Sequence, residues 1–103
     1  MKVYKRTQLF LQLLQLSTPS DRRLLLRATP DGFLRLLTEV VFNVLCGNLS
    51  ISTRHLQSLR RYKQTLRQLS QRSLALDHKR SLLQQHASSS LIPHLLSLVS
   101  LAI

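Results

Sequence analysis

The segment between Thr29 and Gly47 constrains the fold of this chain most. Its apolar residues from Phe33 to Leu45 would lie on nearly every face of an α-helix. A surface helix carries such residues on one stripe only, so a helix of this kind has to be buried. The pattern therefore predicts a central helix from Pro30 to Leu45, against which the rest of the chain packs.

Local signals mark both ends of this helix. Thr29 is a candidate N-cap, Pro30 suits the first helical position, and Asp31 complements the positive end of the helix dipole. Gly47 and Asn48 follow the last apolar residue and supply a left-handed C-cap. These signals predict a helix with defined limits.

The composition extends the helical prediction to the whole chain. Of 103 residues, 44% are hydrophobic and 5% aromatic, leucine dominates, and there are two Gly and three Pro. A sandwich or barrel needs β-branched residues and many turns, which this mixture lacks. We expect one all-α domain, a compact bundle of four or five short helices around the central apolar helix.

Apolar periodicity predicts the other helices. The first, over residues 5–16, should face the core with a leucine stripe that two neighbours widen: Leu9, Leu13 and Leu16, with Phe10 and Leu14. A short helix should follow over residues 20–28, with Ser20 as its cap. Ser52 or Thr53 should cap a long helix over residues 54–69, and a last short helix should cover residues 76–85.

Charge is distributed very unevenly along the sequence. Fifteen Lys and Arg residues face four acids, the formal net charge is +11, and no Lys, Arg, Asp or Glu follows Arg80. An excess of this size destabilises a folded monomer by self-repulsion and attracts polyanions, either nucleic acid or anionic lipid. We therefore expect a negatively charged partner.

The densest basic region runs from residue 54 to residue 80 and contains one acid, Asp77. On a continuous helix, Arg60, Lys63 and Arg67 would share one flank about 10 Å long. Six engaged cations would give a log–log salt slope of roughly −5 on duplex DNA, without base-specific contacts. The predicted nucleic-acid-binding residues are Arg54, Arg60, Arg61, Lys63, Arg67, Arg72, Lys79 and Arg80.

The uncharged residues 87–103 are predicted to form a hydrophobic C-terminal tail after a basic helical domain of residues 1–86. Such a segment hides from water in the core of its own domain, in a partner or in a bilayer, and the sequence leaves these three destinations open. The residues expected to contact a membrane or partner are Leu91, Ile92, Leu95, Leu96, Leu98 and Val99.

The chain offers no pattern typical of an enzyme. Its four acids are spread out, and no nucleophile elbow or Gly-rich phosphate loop occurs. Cys46 is the sole cysteine, and the four histidines lack metal-ligand spacing. We expect a non-enzymatic protein without a metal or cofactor.

Three functions remain open on these residues. The first is sequence-independent nucleic-acid binding, with double-stranded DNA as the expected form, although no residue separates DNA from RNA. The second is a membrane-active or membrane-surface protein that uses amphipathic basic helices and the tail. The third is an interaction protein that binds an acidic protein partner through its basic surface or forms a homo-oligomer through the tail.

Three stretches carry a resemblance to a known family: Phe42 to Ser52, His55 to Leu69, and Lys79 to Gln85. In this order they resemble the small basic proteins of adintoviruses and related Polinton-type elements. There, a helix end rich in Asn and Gly precedes a basic leucine helix, a second basic stretch and a hydrophobic tail. The tail is similar to the one that closes the adenovirus core-protein X precursor.

The resemblance implies a virion-core or minor capsid protein that binds packaged DNA and contacts the capsid or a membrane through its tail. It implies a location in the virion and the host nucleus. Where that family has Gly-Gly before the tail, this sequence has Ala87-Ser88. The basic residues that the resemblance implies are Arg60, Arg61, Lys63, Arg67, Lys79 and Arg80, and the tail runs from Leu91 to Val99.

Overall fold

Seven α-helices make up the secondary structure of the described residues. The computed structural model describes residues 2–48 and 51–102, with the side chains of residues 5–48 and 51–101. The helices are α1 (Lys2–Leu16), α2 (Pro19–Arg27), α3 (Asp31–Leu45), α4 (Thr53–Arg60), α5 (Lys63–Leu69), α6 (Leu76–Gln85) and α7 (Leu91–Ala102). The all-α prediction is confirmed, with seven short helices in place of four or five.

Helix α3 packs against α1, α5, α6 and α7, while α2 lies against α6 and α4 against α7. Six residues of α3 are buried, and Leu34 and Val41 are among the most deeply enclosed. The Cα radius of gyration is 12.6 Å, close to the ~12.8 Å expected for a compact domain of this length.

The end of α3 follows the predicted chemistry, but its start does not. Gly47 has a φ of 75°, and the N–H of Asn48 donates to the carbonyl of Asn43 at 2.8 Å, which completes a Schellman C-cap. At the start, Pro30 occupies the cap position and no side chain caps the helix. The hydroxyl of Thr29 instead donates to the carbonyl of Leu26 at 2.6 Å. Thr29 therefore acts at the end of α2 and does not cap α3.

The face of α1 that packs inward differs from the predicted one. Phe10 and Leu14 are buried as expected, yet Leu9, Leu13 and Leu16 are 56%, 55% and 87% exposed. The inward face is instead completed by Thr7 and Leu11. The leucine stripe prediction was wrong because α1 is apolar over a wide arc, and periodicity alone does not say which part of that arc faces the core.

The long helix predicted over residues 54–69 is two helices. Arg61 and Tyr62 separate α4 from α5, and the N–H of Tyr62 bonds the carbonyl of Leu59 at 2.9 Å in a tighter turn. The Tyr62 hydroxyl lies 2.8 Å from Ser90 Oγ, close to the start of α7. This long-range contact coincides with the break, and nothing in the local sequence marks it.

Hydroxyl side chains cap both α2 and α4. The hydroxyl oxygen of Thr18 accepts from the N–H of Asp21, so Thr18 caps α2 and the predicted cap Ser20 lies inside the helix. Of the two predicted candidates, Ser52 caps α4 and accepts from the N–H of His55, while Thr53 is the first residue of the helix.

Candidate nucleic-acid interface

Five of the eight predicted basic residues belong to α4, to α5 and to the turn between them. Arg54 and Arg60 are on α4, Arg61 is in the turn, and Lys63 and Arg67 are on α5; all five are exposed. The two helices are anchored to the core by three buried leucines: Leu59, Leu66 and Leu69. We call these five cations the α4–α5 basic surface.

In the part of the chain that the structure describes, no carboxylate forms an ion pair with the α4–α5 basic surface. The sequence contains no Asp or Glu between Glu39 and Asp77. Among the residues that the structure describes, the ion pairs involve Arg72 and Arg80 only. Within those residues, the cations of this surface are therefore not matched by direct ion pairs.

Arg72, the sixth predicted residue, is held by an acid on α3. Its Nε and Nη2 donate to the two carboxylate oxygens of Glu39, each at 2.8 Å, and its guanidinium lies 5.3 Å from the ring centre of Phe42. These hydrogen bonds lower the pKa of Glu39 and raise the pKa of Arg72. A bidentate pair of this kind orients Arg72 toward α3.

Lys79, the seventh, lies almost completely inside the protein. It is 2% exposed, and its Nζ donates to Oγ1 of Thr38 at 2.6 Å. That hydroxyl in turn donates to the carbonyl of Leu34 at 2.9 Å. Burial lowers the pKa of Lys79, and the charge of Glu39 opposes this effect. The assignment of Lys79 to an exposed DNA-binding face is thus not supported by its position.

Arg80, the eighth, connects three parts of the chain. It forms ion pairs with Asp31 and, at 2.7 Å, with Asp77, and its Nε donates to the carbonyl of Thr29 at 2.8 Å. The hydrogen bond to Asp31, together with that to Asp77, raises the pKa of Arg80. Its role in this fold is to hold the start of α3 against α6.

The predicted tail residues lie in the core. Leu91, Ile92, Leu95, Leu96, Leu98 and Val99 are each at most 6% exposed. They belong to α7, which packs against α1, α3 and α4. Of the three destinations left open by the sequence, the structure shows burial in the core of the chain's own domain. In this conformation these six side chains are not accessible to a membrane or a partner.

Within the described ranges, no helix combines the length and the apolar character needed to cross a membrane. In the same ranges, no three His, Cys, Asp or Glu side chains gather closely enough to hold a metal ion.

Two contacts involving histidines were not foreseen from the sequence. His86 lies edge-on to Tyr62, with ring centres 5.6 Å apart, and its Nε2 is 3.3 Å from Oγ1 of Thr65. His55 on α4 and His94 on α7 form a T-shaped pair with ring centres 5.0 Å apart. Burial, with a smaller contribution from His55, lowers the pKa of His94. Both contacts join segments more than 20 residues apart, where no local pattern gives a signal.

Comparison with known proteins found no match for this chain among protein-family models, curated proteins or solved structures.

Proposed function

We propose that this protein binds a nucleic acid, in the first place double-stranded DNA, through the α4–α5 basic surface and without sequence preference or catalysis. The observation that carries the proposal is the group of five exposed cations on two short helices and the turn between them, in a stretch of 37 residues without an acid (residues 40–76). Lys and Arg side chains in this setting contact phosphates, which supply affinity but no sequence information.

The dimensions of the surface suit a duplex. An α-helix rises 1.5 Å per residue, so α4 and α5 each present about 10–12 Å of helix. Duplex DNA carries one charge per ~1.7 Å of its axis, so several phosphates come within reach of each helix. Five engaged cations correspond to a log–log salt slope of about −4 to −5.

The aromatic residue in this region does not favour single strands. Tyr62 is half-buried, its hydroxyl contacts Ser90, and this hydrogen bond lowers the pKa of Tyr62. Binding of single-stranded nucleic acid usually relies on exposed aromatic rings that stack on bases. Backbone contact with a duplex is therefore the better-supported mode.

The test compares two variants of equal charge. In the first, the five cations of the α4–α5 basic surface are replaced by Gln; in the second, five other exposed cations are replaced by Gln, namely Lys5, Arg6, Arg23, Arg27 and Arg35. Fluorescence anisotropy on a labelled duplex would give the affinity across a salt series. We expect the first variant to lose most of its affinity and salt slope, and the second to keep most of both.

Equal losses in the two variants would mean that total charge, not this surface, governs binding, and would contradict the proposal. A wild-type affinity that does not change with salt would contradict it as well. If the resemblance to virion-core proteins holds, the nucleic acid is the DNA packaged in the virion. Contact of residues 91–99 with a capsid or membrane would then require α7 to leave the core.

A second candidate is attachment to an anionic membrane surface through α1. The observation that favours it is the exposed apolar face formed by Leu9, Leu13 and Leu16, which follows the exposed cations Lys5 and Arg6. A helix with an apolar face beside basic residues lies in the interface of a negatively charged bilayer.

Vesicles with and without anionic lipid separate this candidate from DNA binding. Leu13→Gln should weaken sedimentation with anionic vesicles, while Leu24→Gln, a change at an exposed leucine of α2, should not. Unchanged sedimentation of the Leu13→Gln protein would exclude α1 as the attachment site.

A further inference from the structure

A surface cavity of about 510 Å³ lies between α3, the segment that follows α5, and the start of α6. Pockets of roughly 300–1,000 Å³ accommodate small molecules. Its polar walls are formed by Arg35, Thr38 and Glu39 on one side and by Arg72 and Lys79 on the other. None of these five residues belongs to the α4–α5 basic surface, so the cavity is a separate feature.

The cavity has a surplus of positive charge. Glu39 is matched by the bidentate contact from Arg72, so this pair is neutral as a unit. Arg35 is exposed on the rim and, among the described residues, forms no ion pair. Lys79, whose charge also interacts with that of Glu39, adds a second cation in the wall. With three cations and one carboxylate, the walls carry a net charge of +2.

The ammonium of Lys79 has hydrogen-bonding capacity for a ligand. An ammonium group carries three donors, and one of them is used by Thr38 at 2.6 Å. Burial lowers the pKa of Lys79, and a bound anion would offset that desolvation.

The remaining wall is apolar and includes Leu74, Ala75 and Leu76. Ala75 is the cap residue of α6, and no side chain caps that helix, so its first amides add donors on the same side. The cavity thus joins a cationic end to an apolar surface.

We propose that this cavity binds a small phosphomonoester, with the phosphate between Lys79 and Arg35 and the organic group against Leu74 and Leu76. A phosphomonoester carries about −1.5 to −2 at neutral pH and matches this net charge of +2, whereas a carboxylate matches only half of it. An ordinary phosphodiester of a duplex is a monoanion inside a polymer, so this ligand differs from the partner of the α4–α5 basic surface.

The test is an NMR titration of the full-length, isotope-labelled protein with phenyl phosphate, with inorganic phosphate and benzoate as comparison probes. We expect saturable shifts at the amides of Thr38 and of residues 74–76 with phenyl phosphate. Inorganic phosphate should bind the same amides more weakly because it lacks the organic group, and benzoate more weakly because it carries one charge.

Two cavity variants and one surface variant make the result decisive. Lys79→Met keeps most of the buried stem, and Arg35→Gln changes an exposed side chain that the core does not need. Each should weaken phenyl phosphate about tenfold, as expected for the loss of a charged hydrogen bond. Arg54→Gln, on the α4–α5 basic surface, should leave this affinity unchanged.

Shifts that spread over α4 and α5, or that do not saturate, would overturn the proposal. So would an affinity equal to that of the wild type in the folded Arg35→Gln protein, even if Lys79→Met failed to fold. Neither result would bear on duplex binding by the α4–α5 basic surface.

Discussion

Single residues in this protein show how position changes the role of a side chain. Lys79 and Arg80 are neighbours in a basic stretch, yet one is buried against Thr38 and the other is fixed by two carboxylates. Arg61 and Lys63 have the same formal charge but remain exposed. Composition counts these cations as equal, whereas their surroundings divide them into structural and available groups.

A pH prediction belongs to His94. Its pKa is lowered by burial and by His55, so the unfolded chain takes up the proton first as the pH falls. The stability that depends on neutral His94 is present above about pH 6.5 and is lost progressively below it. Urea unfolding at about pH 7.5 and about pH 5 should show a larger free energy of unfolding at the higher pH.

His94→Gln should reduce this difference, and His78→Gln, a change at an exposed histidine of α6, should not. A pH difference that is the same in all three proteins would show that other groups control it.

Gly47 provides a prediction about the backbone. Its φ of 75° is unfavourable for a side chain, although a Cβ there would meet no atom within 4 Å. Gly47→Ala should lower the free energy of unfolding by about 1–2 kcal/mol. Gly32→Ala, within α3 and equally free of contacts, should raise it by about 0.4–1 kcal/mol. Thermal or urea unfolding would measure the stability of both variants. Equal changes in the two would contradict the explanation from the left-handed backbone of Gly47.

At the scale of the helices, the buried face and the first residue are the two features that the local sequence leaves open. Helix α1 carries apolar residues over a wide arc, and only its contacts with α3 and α7 select the inward part. Helix α2 begins at Pro19 with Thr18 as its cap, although Ser20 has the same type of hydroxyl. In both cases the local sequence allows more than one solution.

The inward face of α1 can be tested by truncating adjacent leucines. Leu14 is fully buried, so Leu14→Ala should lower the free energy of unfolding by about 2–5 kcal/mol. Leu13 is 55% exposed, and Leu13→Ala should change the free energy of unfolding by no more than about 0.5 kcal/mol. Urea unfolding that gave the opposite order would place the leucine stripe in the core after all.

The cap of α2 offers a second pair of matched variants. Thr18→Ala removes the acceptor for the N–H of Asp21 and should cost about 1 kcal/mol of stability. Ser20→Ala lies inside the helix and should change stability by less than about 0.5 kcal/mol. The midpoint of urea unfolding distinguishes them, and a larger loss for Ser20→Ala would refute the cap assignment.

At the scale of the whole molecule, α7 joins the core that the preceding helices form. Burying one aliphatic side chain contributes about 1.5–3 kcal/mol, and a domain is stable by about 5–15 kcal/mol in total. The six buried side chains of residues 91–99 therefore contribute on the scale of the whole stability. The charged helices and the apolar segment depend on each other.

A chain that ends at residue 90 should for this reason fail to fold cooperatively. Circular dichroism should show reduced helix content, and urea unfolding should lack a sharp transition. A truncated protein with wild-type helicity and a cooperative transition would instead support an independent basic domain of residues 1–86.

The prediction of helices succeeded where signals act over a few residues. The C-cap at Gly47, the cap at Ser52 and the limits of α6 follow from neighbouring side chains and from periodicity. The break at Tyr62 escaped prediction because nothing in the local sequence marks it, and the contact that coincides with it, to Ser90, spans 28 residues. The sequence named eight basic residues, but it did not show which of them are held by partners within the fold and which remain exposed without one.

By itself, the sequence determined that the chain is helical, strongly basic over its first 80 residues and apolar at its end, because these properties depend on composition and local pattern. Only the tertiary structure decided which charges remain available. Arg72 meets Glu39 across 33 residues, Lys79 meets Thr38 across 41, and Arg80 meets Thr29 across 51. Such pairs form only when packing brings distant helices together, since apolar burial sets the arrangement and the charges then take the partners it leaves within reach.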